Sequence, residues 1–239
     1  TKEGRLAEQQ ASLDAWFAKT GRQKTVFNHV AKWLTDWVRE TGLDGFRVDT
    51  AKHVEQSNWK ILKEEAVRAH NDWVAANPAD AAKLKGDTNF WMTGEVWNHG
   101  ATRDSYFDNG FNSMINFDFQ SAAGTVASLD ATYANLRQQS DASKGEALLS
   151  YISSHDKGLY GGDRKIGLTS LLLAPGAAQI FYGDETGRGN CTGCAGDHAS
   201  RGDMNWNSIN QDVYIHAQKL GKFRNKHVAV GAGAHAKLS

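Results

Sequence analysis

The sequence predicts a parallel α/β fold, and two features of the chain support that prediction. Short apolar runs with strand-like alternation are separated by stretches with helical spacing over most of the 239 residues, as expected for strand–helix–strand units. Most of these runs also end in charged side chains, which is typical of the carboxyl edge of a parallel sheet. The length suits one sizeable domain.

The N-terminal segment is predicted to be helical. Residues 1 to about 20 have a helical pattern that Gly21 interrupts. A second helix ends at Gly42, because glycine commonly terminates helices. Its apolar residues recur at i, i+3, i+4, i+7 and i+8, which indicates an amphipathic helix with one buried face. These residues are Val30, Trp33, Leu34, Trp37 and Val38.

Five strands and four further helices are predicted after Gly42. In the first strand, Phe46 and Val48 alternate with Arg47 and Asp49, which is a period of two. The other strand candidates are Phe90–Glu95, Met114–Phe119, Leu148–Asp156 and Ala178–Tyr182. The helix candidates begin near Ser57, Val126, Ile166 and Asp212, and a small, polar tail begins at Val228.

The composition argues against two classes of partner. Acidic and basic residues number 27 each, so the chain lacks the basic excess of a nucleic-acid-binding protein. No run of about 18 apolar residues is present, so neither a transmembrane helix nor a membrane partner is expected. The polar N-terminus lacks a starting Met and does not resemble a signal peptide, so we expect a mature, cut or partial chain.

The two cysteines lie in the segment GNCTGCAGD. Cys191 and Cys194 form a C-x-x-C pair, which could be redox-active, half of a zinc site or a small disulfide loop. The chain has no second Cys pair and no His at zinc-finger spacing after this one. A local disulfide is therefore favoured, and it would indicate an oxidising compartment.

The pair Arg47 and Asp49 is the first candidate for chemistry. Both side chains are on one face of the first strand, at its carboxyl end, just before a helix. In a barrel of parallel strands, that end carries the active site. An arginine beside an aspartate favours the ionised carboxylate, which could act as a nucleophile or as an electrostatic stabiliser.

Three other strands end in acidic or His side chains. These residues are Glu95, His155 with Asp156, and Asp184 with Glu185. Each alone could be a solvated strand end, but four such ends together predict a common site. Converging carboxylates suit a divalent metal or acid/base chemistry at a glycosidic bond. Trp91 and Trp97 flank Glu95 in the sequence, so their apolar rings are expected to raise its pKa, as a general acid requires.

Four segments in this order are similar to the conserved segments of a known family. GFRVDTAKHV, GEVW, SSHD and GAAQIFYGDE resemble those of the α-amylase family of glycoside hydrolases, family 13. The segment RGDMNW further resembles periplasmic members of Gram-negative bacteria. The resemblance implies a (β/α)8 TIM barrel, of which only the portion from strand 4 to strand 8 is present here. It also implies a periplasmic or secreted location.

The resemblance implies retaining endo-hydrolysis of α-1,4-glucosidic bonds in starch, glycogen or maltodextrins. Asp49 would be the nucleophile, Glu95 the acid and base, and Asp156 the group that binds sugar hydroxyls and favours the distorted ring. Two other possibilities remain. One is an α-glucan transferase or debranching enzyme of the same family, and the other is an inactive carbohydrate-binding fragment.

The resemblance also implies substrate-binding residues and a metal. Arg47 would hold Asp49 ionised, His155 would bind the sugar next to the cleaved bond, and Lys52 and His53 would line the leaving-group side. Trp97 is assigned to substrate binding, because aromatic rings stack on sugar faces. In many family members, the backbone carbonyl at the His53 position ligates a structural calcium.

The domain organisation follows from the segments that are missing. The family's first conserved segment, an Asp several residues before an Asn-His pair, has no counterpart here. Residues 1–28 are expected to be the end of an inserted domain or a long loop and helix, and residues 29–227 the barrel portion. Residues 228–239 would lead towards a missing C-terminal domain. The missing parts of a longer chain would then be partners of this one.

Overall fold

The computed structural model describes residues 4–84 and 89–238. Residues 1–3 of the predicted first segment and residue 239 of the predicted tail lie outside the described residues. Five strands form one sheet within the described ranges. They are β1 (Gly45–Val48), β2 (Trp91–Gly94), β3 (Ser113–Asn116), β4 (Ala147–Tyr151) and β5 (Ala177–Gln179).

Helices connect and flank these strands. Two precede the sheet, α1 (Leu6–Thr20) and α2 (Val26–Thr41). The others are α3 (Gln56–Ala76), α4 (Pro78–Ala81), α5 (Ser105–Asp108), α6 (Phe119–Ala122), α7 (Val126–Gln139), α8 (Arg164–Leu172), α9 (Gln211–Lys226) and α10 (Ala229–Ala232). Helix α2 begins at an N-cap, where the Thr25 side chain accepts a hydrogen bond from the backbone N–H of Asn28, and it ends at Gly42 in the left-handed conformation.

The sheet is parallel throughout, and its strands lie side by side in chain order, from β1 to β5. Within the described residues it stays open along β1 and β5, which makes it half of a barrel. The α/β fold and the strand 4 to strand 8 portion predicted from the sequence are therefore confirmed. Because all five strands run the same way, their carboxyl ends meet at one edge of the sheet.

Two apolar clusters cover the two faces of the sheet. The larger lies between the strands and the helices and includes Met92, Met114, Leu148 and Leu168, all fully buried. A smaller cluster consists of Ile115, Phe117, Tyr151 and Leu149. Alternate residues of a strand point to opposite faces, so neighbouring members of β3 and β4 are divided between the two clusters.

The predicted strands are present, but they are shorter than expected. The fourth was predicted to run to Asp156, whereas β4 ends at Tyr151. The next five residues leave the ladder, and Ser154 instead forms an antiparallel bridge with Gly158. This turn places His155 and Asp156 on a loop above the end of the strand.

Helix α2 is where the prediction was wrong about burial. The helix is present, but its predicted buried face is largely exposed, and Trp33 and Trp37 retain 52% and 62% of their accessible surface. Among the five predicted residues only Val38 is fully buried. The helix contacts α3, and its buried residues include Ala31, Thr35 and Val38, whereas Trp33 and Trp37 lie outside this buried stripe.

The structure also bears on the cysteines and on membranes. Cys191 and Cys194 form a disulfide, the option that the sequence favoured. In residues 4–84 and 89–238, no helix combines the length and the apolar character needed to cross a membrane. The domain boundaries at residues 28 and 227 stay a prediction.

Candidate active site

Asp49 and Glu95 emerge side by side at the carboxyl edge of the sheet. Val48, the last residue of β1, is in register with Gly94, the last residue of β2. The Glu95 N–H donates to the Val48 carbonyl at 2.8 Å, and the Ala51 N–H donates to the Glu95 carbonyl at 2.8 Å. The parallel ladder thus continues one step past both strands and brings the two carboxyl groups together.

Arg47 contacts both carboxyl groups. Its Nη1 donates to Asp49 Oδ1 at 3.1 Å, and its Nη2 lies 3.8 Å from Glu95 Oε2. Arg47 and Asp49 share one face of the strand end, because side chains two residues apart in a strand point the same way. The sequence prediction that Arg47 and Asp49 form a pair is therefore confirmed by this contact.

The surroundings of the two carboxyl groups shift their pKa values in opposite directions. Burial raises the pKa of Glu95, and a hydrogen bond to Asp49 raises it further; the residue is only 5% exposed. The same hydrogen bond, now stabilising the carboxylate, lowers the pKa of Asp49, and the Arg47 charge lowers it too. The pair can therefore hold one proton, on Glu95, while Asp49 is ionised.

His155 and Asp156 enter from the loop after β4. The His155 Nε2 lies 3.0 Å from Asp156 Oδ2. The other carboxylate oxygen of Asp156 accepts a hydrogen bond from Arg201 Nη2 at 3.1 Å. Arg201 belongs to the loop after β5, so the carboxylate is held between two loops.

The predicted site residues line two adjoining pockets at the carboxyl edge of the sheet. One, of about 480 Å³, is lined by seven of the eight predicted residues: Asp49, Lys52, His53, Glu95, Trp97, His155 and Asp156. The other, of about 350 Å³, shares Glu95, His155 and Asp156 with it and adds the eighth, Arg47. Residues distant in sequence thus meet in a cleft, which contains all eight residues that the family resemblance assigned to catalysis or substrate binding.

Trp97 forms one wall of this cleft. Its ring packs edge-on against Phe117 at 5.3 Å between centroids, and Lys157 Nζ lies 5.2 Å from the ring centre. The side chain is 43% exposed. An aromatic ring fixed on one side and open on the other can stack on a sugar ring.

Three residues that the sequence placed at the site or beside Glu95 lie elsewhere. Asp184 is fully buried, where it pairs with Arg164 and accepts a 2.6 Å hydrogen bond from Ser153 Oγ. Glu185 accepts a hydrogen bond from the N–H of Gly183. Trp91 begins β2, whereas Glu95 follows its end, so the ring lies at the opposite edge. Burial, and not Trp91, raises the pKa of Glu95.

The cleft also contains residues that were not predicted, among them Arg201 and Tyr151. Arg201 lies in the RGDMNW segment, and this motif was the only signal that could have identified it. Tyr151 lies on the cleft floor at 1% exposure, and burial raises the pKa of its phenol to about 12. Its place at the end of the predicted fourth strand was the available signal.

The predicted calcium ligand, the backbone carbonyl of His53, lies at the rim of the cleft. His53 ends a short 3-10 turn, Ala51–His53, beside the cleft. Calcium prefers six to eight oxygen ligands. The described ranges contain no cluster of three or more His, Cys, Asp or Glu side chains able to hold a metal. The role of the His53 carbonyl stays a prediction.

A comparison with models of protein families matches the part of the chain that contains the cleft. The family model described as alpha amylase, catalytic domain, matches residues 19–229. The chain is 45% identical over 221 residues to the periplasmic alpha-amylase of Escherichia coli K12, and the match covers 88% of this chain. It is also 26% identical over 223 residues to a cyclomaltodextrinase of a Bacillus species, over 87% of its length.

Among solved structures, an alpha-amylase of Geobacillus thermoleovorans complexed with acarbose has a similar fold. Its TM-score is 0.68 at 20% identity, and the match covers 86% of this chain and 45% of that one. The chain spans 32% of the length of the E. coli protein and 36% of the cyclomaltodextrinase. Its five strands therefore correspond to part of each relative.

Proposed function

Because this chain belongs to the α-amylase family, we propose that it supplies the catalytic carboxyl groups of a retaining endo-hydrolase of α-1,4-glucosidic bonds in starch, glycogen or maltodextrins. One observation carries the proposal: Asp49 and Glu95 follow the paired ends of β1 and β2, and Arg47 contacts both carboxyl groups. Two carboxyl groups that contact one guanidinium suit a retaining mechanism, in which they lie about 5–5.5 Å apart, whereas an inverting mechanism needs about 6.5–9.5 Å to admit a water molecule.

The roles follow from the protonation states that the surroundings favour. Asp49 is the more exposed and the more acidic group, so it attacks the anomeric carbon and forms a β-glycosyl enzyme. Glu95 holds the proton and donates it to the departing glycosidic oxygen. Glu95 then accepts a proton from a water molecule as the water oxygen bonds to the anomeric carbon, and the bond between that carbon and Asp49 breaks, which releases the sugar.

The other cleft residues bind the sugar. Asp156 and His155 line the same pocket as Asp49, where they are proposed to form hydrogen bonds with the hydroxyl groups of the ring under attack. Lys52 and His53, on the turn after β1, are proposed to contact the leaving group. Trp97 provides a stacking surface at the cleft wall.

The test is the substitution Glu95→Gln, which keeps the size of the side chain and removes its titration. We expect kcat on soluble starch to fall by about 10²- to 10⁴-fold, the usual contribution of a positioned acid/base group. Glu64→Gln is the matched control, because this half-exposed carboxylate lies on α3, outside the cleft, where it pairs with Arg22. Unchanged hydrolysis by Glu95→Gln would refute the assignment.

A second candidate function is transfer or debranching on α-glucans, which the similarity to a cyclomaltodextrinase favours. The same three carboxyl groups would serve it. Product analysis separates the two: hydrolysis of maltoheptaose yields only shorter sugars, whereas transfer also yields longer ones. Calorimetric binding of maltooligosaccharide without turnover would instead indicate an inactive binding fragment.

The proposed location is the periplasm. The similarity to a periplasmic relative supports it, and so does the Cys191–Cys194 disulfide, because disulfides persist in oxidising compartments. Cell fractionation followed by thiol labelling would test both points.

A further inference from the structure

Arg201 contacts the loop that carries Asp156 at two points. Its Nη2 donates to Asp156 Oδ1 at 3.1 Å, and its Nε donates to the His155 carbonyl at 3.2 Å. A planar guanidinium that contacts two acceptors is held in one orientation. The neighbouring Ser200 hydroxyl lies 3.4 Å from the same His155 carbonyl. The loop after β5 therefore braces the loop after β4 directly at Asp156.

These contacts leave the Asp156 carboxylate little freedom. Oδ1 is taken by Arg201, and Oδ2 lies 3.0 Å from His155 Nε2. Without Arg201, one oxygen would lose its partner, and the side chain could rotate about its χ angles. Arg201 does not contact Asp49 or Glu95 through any hydrogen bond or ion pair found in the described residues, so its influence on those two groups passes through Asp156.

A second arginine holds Arg201 in place. Arg188 is 3% exposed and donates to the carbonyl groups on either side of Arg201, to Ser200 at 2.9 Å and to Gly202 at 3.2 Å. Its guanidinium stacks on Tyr182, 4.1 Å from the ring centre, and the Tyr182 hydroxyl donates to the Gly202 carbonyl at 2.8 Å. The backbone around Arg201 is thus anchored to the end of β5.

The disulfide lies against the same backbone. The N–H of Cys191 donates to the Ala199 carbonyl at 2.8 Å. A Cβ at Gly202 would lie 2.7 Å from the Cβ of Cys191, so only glycine permits this approach. The bond from Cys191 to Cys194 closes a small loop whose first residue therefore packs against both sides of the segment that presents Arg201.

We propose that Arg201 is a positioning residue for Asp156, and that the Cys191–Cys194 loop and Arg188 set its position. The proposal rests on the function proposed above. Asp156 is assigned to the sugar ring in the transition state, so misplacing it affects catalysis more than ground-state binding. A displacement of about 1 Å can cost on the order of 100-fold in rate.

The first test compares Arg201→Ala, Arg201→Lys and Arg39→Ala in the full-length protein on maltoheptaose. We expect Arg201→Ala to lower kcat by about 10- to 100-fold with KM changed less than threefold. Lysine keeps the charge but not the two-point contact, so Arg201→Lys should lower kcat less than Arg201→Ala does. Arg39, which pairs with Asp36 and Asp72 on the outer helices, is the matched control and should leave kcat unchanged.

The second test is a cycle that combines Arg201→Ala with Cys191→Ser and Cys194→Ser. If the disulfide acts through Arg201, the serine pair lowers kcat when Arg201 is present and has little further effect in its absence. Equal effects in both backgrounds would overturn the role of the disulfide. A kcat for Arg201→Ala equal to that of Arg39→Ala would overturn the positioning role.

A crystal structure of Arg201→Ala separates the two proposals. Positioning predicts that the Asp156 side chain changes rotamer or loses order while Asp49 and Glu95 stay in place. An unchanged Asp156 overturns the inference whether or not the protein hydrolyses glucans. An inert wild type with a displaced Asp156 in the variant would overturn the proposed function alone.

Discussion

The backbone N–H of Thr50 donates a 2.9 Å hydrogen bond to Oε2 of Glu95. Thr50 makes this bond from the left-handed region, at φ 47° and ψ 41°, which is unusual for a β-branched residue. The turn that begins there carries the chain from Asp49 back to Ala51, whose N–H bonds the Glu95 carbonyl. Backbone strain at this point thus orients the proposed acid.

The strain predicts that Thr50→Asn stabilises the protein. Asparagine tolerates the left-handed region better than threonine, and the backbone N–H that bonds Glu95 is kept. We expect a gain of about 1 kcal/mol in the free energy of unfolding, measured by urea titration, since a strained residue of this kind costs about 1–3 kcal/mol. The kcat on maltoheptaose should stay within about twofold.

Thr132→Asn is the control for this substitution. Thr132 lies inside α7, where its hydroxyl donates to the Ser128 carbonyl, and asparagine has no advantage over threonine in a helix. This variant should show no gain. If both variants changed stability equally, the effect would belong to the residue type and not to the strained turn.

The charge of Arg47 should influence how the rate depends on pH. Activity needs an ionised Asp49 and a protonated Glu95, so it falls at low pH as Asp49 gains a proton and at high pH as Glu95 loses one. The Arg47 charge lowers the pKa of both groups. Replacing Arg47 by Met should therefore raise both pKa values and move both limbs of the profile of kcat/KM to higher pH.

Arg47→Lys serves as the comparison, because it keeps a positive charge near Asp49 and Glu95. Both limbs of its pH profile of kcat/KM should therefore move less than those of Arg47→Met. Because each of the two carboxyl groups shifts the pKa of the other, the apparent pKa values belong to the pair. A shift of either limb to lower pH in Arg47→Met would contradict the assigned electrostatics.

The strand ends could be predicted from the sequence, whereas the loops could not. The period-two pattern and the four motifs place Asp49 and Glu95 after neighbouring strands. The parallel register of these strands then brings the two side chains together. Arg201 lies in a loop without periodicity, so only the folded chain reveals its contact with Asp156. Asp184 follows a strand too, but it turns towards Arg164 in the interior, and sequence alone does not give that direction.

Helix α2 shows a different limit. Helical spacing predicts which residues share a face, but not which element covers that face. Trp33 and Trp37 share an apolar stripe, yet the buried stripe is the adjacent one, with Ala31 and Thr35. Which stripe of the helix is buried depends on tertiary packing, and the helical period carries no information about that packing.

Truncation of the Trp97 side chain should lower the affinity for substrate. In Trp97→Ala, the stacking surface is removed while the carboxyl groups remain, so KM for maltoheptaose should rise by about 5- to 50-fold with a smaller change in kcat. Trp97→Phe keeps a ring and should recover most of the affinity. A large fall in kcat with KM unchanged would indicate that the ring acts on the reaction step instead.

The buried pair of Arg164 and Asp184 predicts a pH-dependent loss of stability. Asp184 is fully buried and Arg164 nearly so, and removing one partner of such a pair leaves an uncompensated charge that costs about 3–5 kcal/mol. We expect Arg164→Met to lower the free energy of unfolding by that amount at pH 7. Arg39→Met, which breaks half-exposed ion pairs, should cost less than about 1 kcal/mol.

The sign of the pH effect follows from Asp184. Burial raises its pKa in the folded protein, and losing the Arg164 charge raises it further, so the folded variant binds a proton more readily than the unfolded chain does. The loss of unfolding free energy caused by the unpaired Asp184 is then absent below the pKa of this residue in the unfolded chain. It grows as the pH rises through the pKa of Asp184 in the folded protein. The deficit of Arg164→Met relative to the wild type should be smaller at pH 4.5 than at pH 7, and a larger deficit at pH 4.5 would mean that Asp184 is not the group left unpaired.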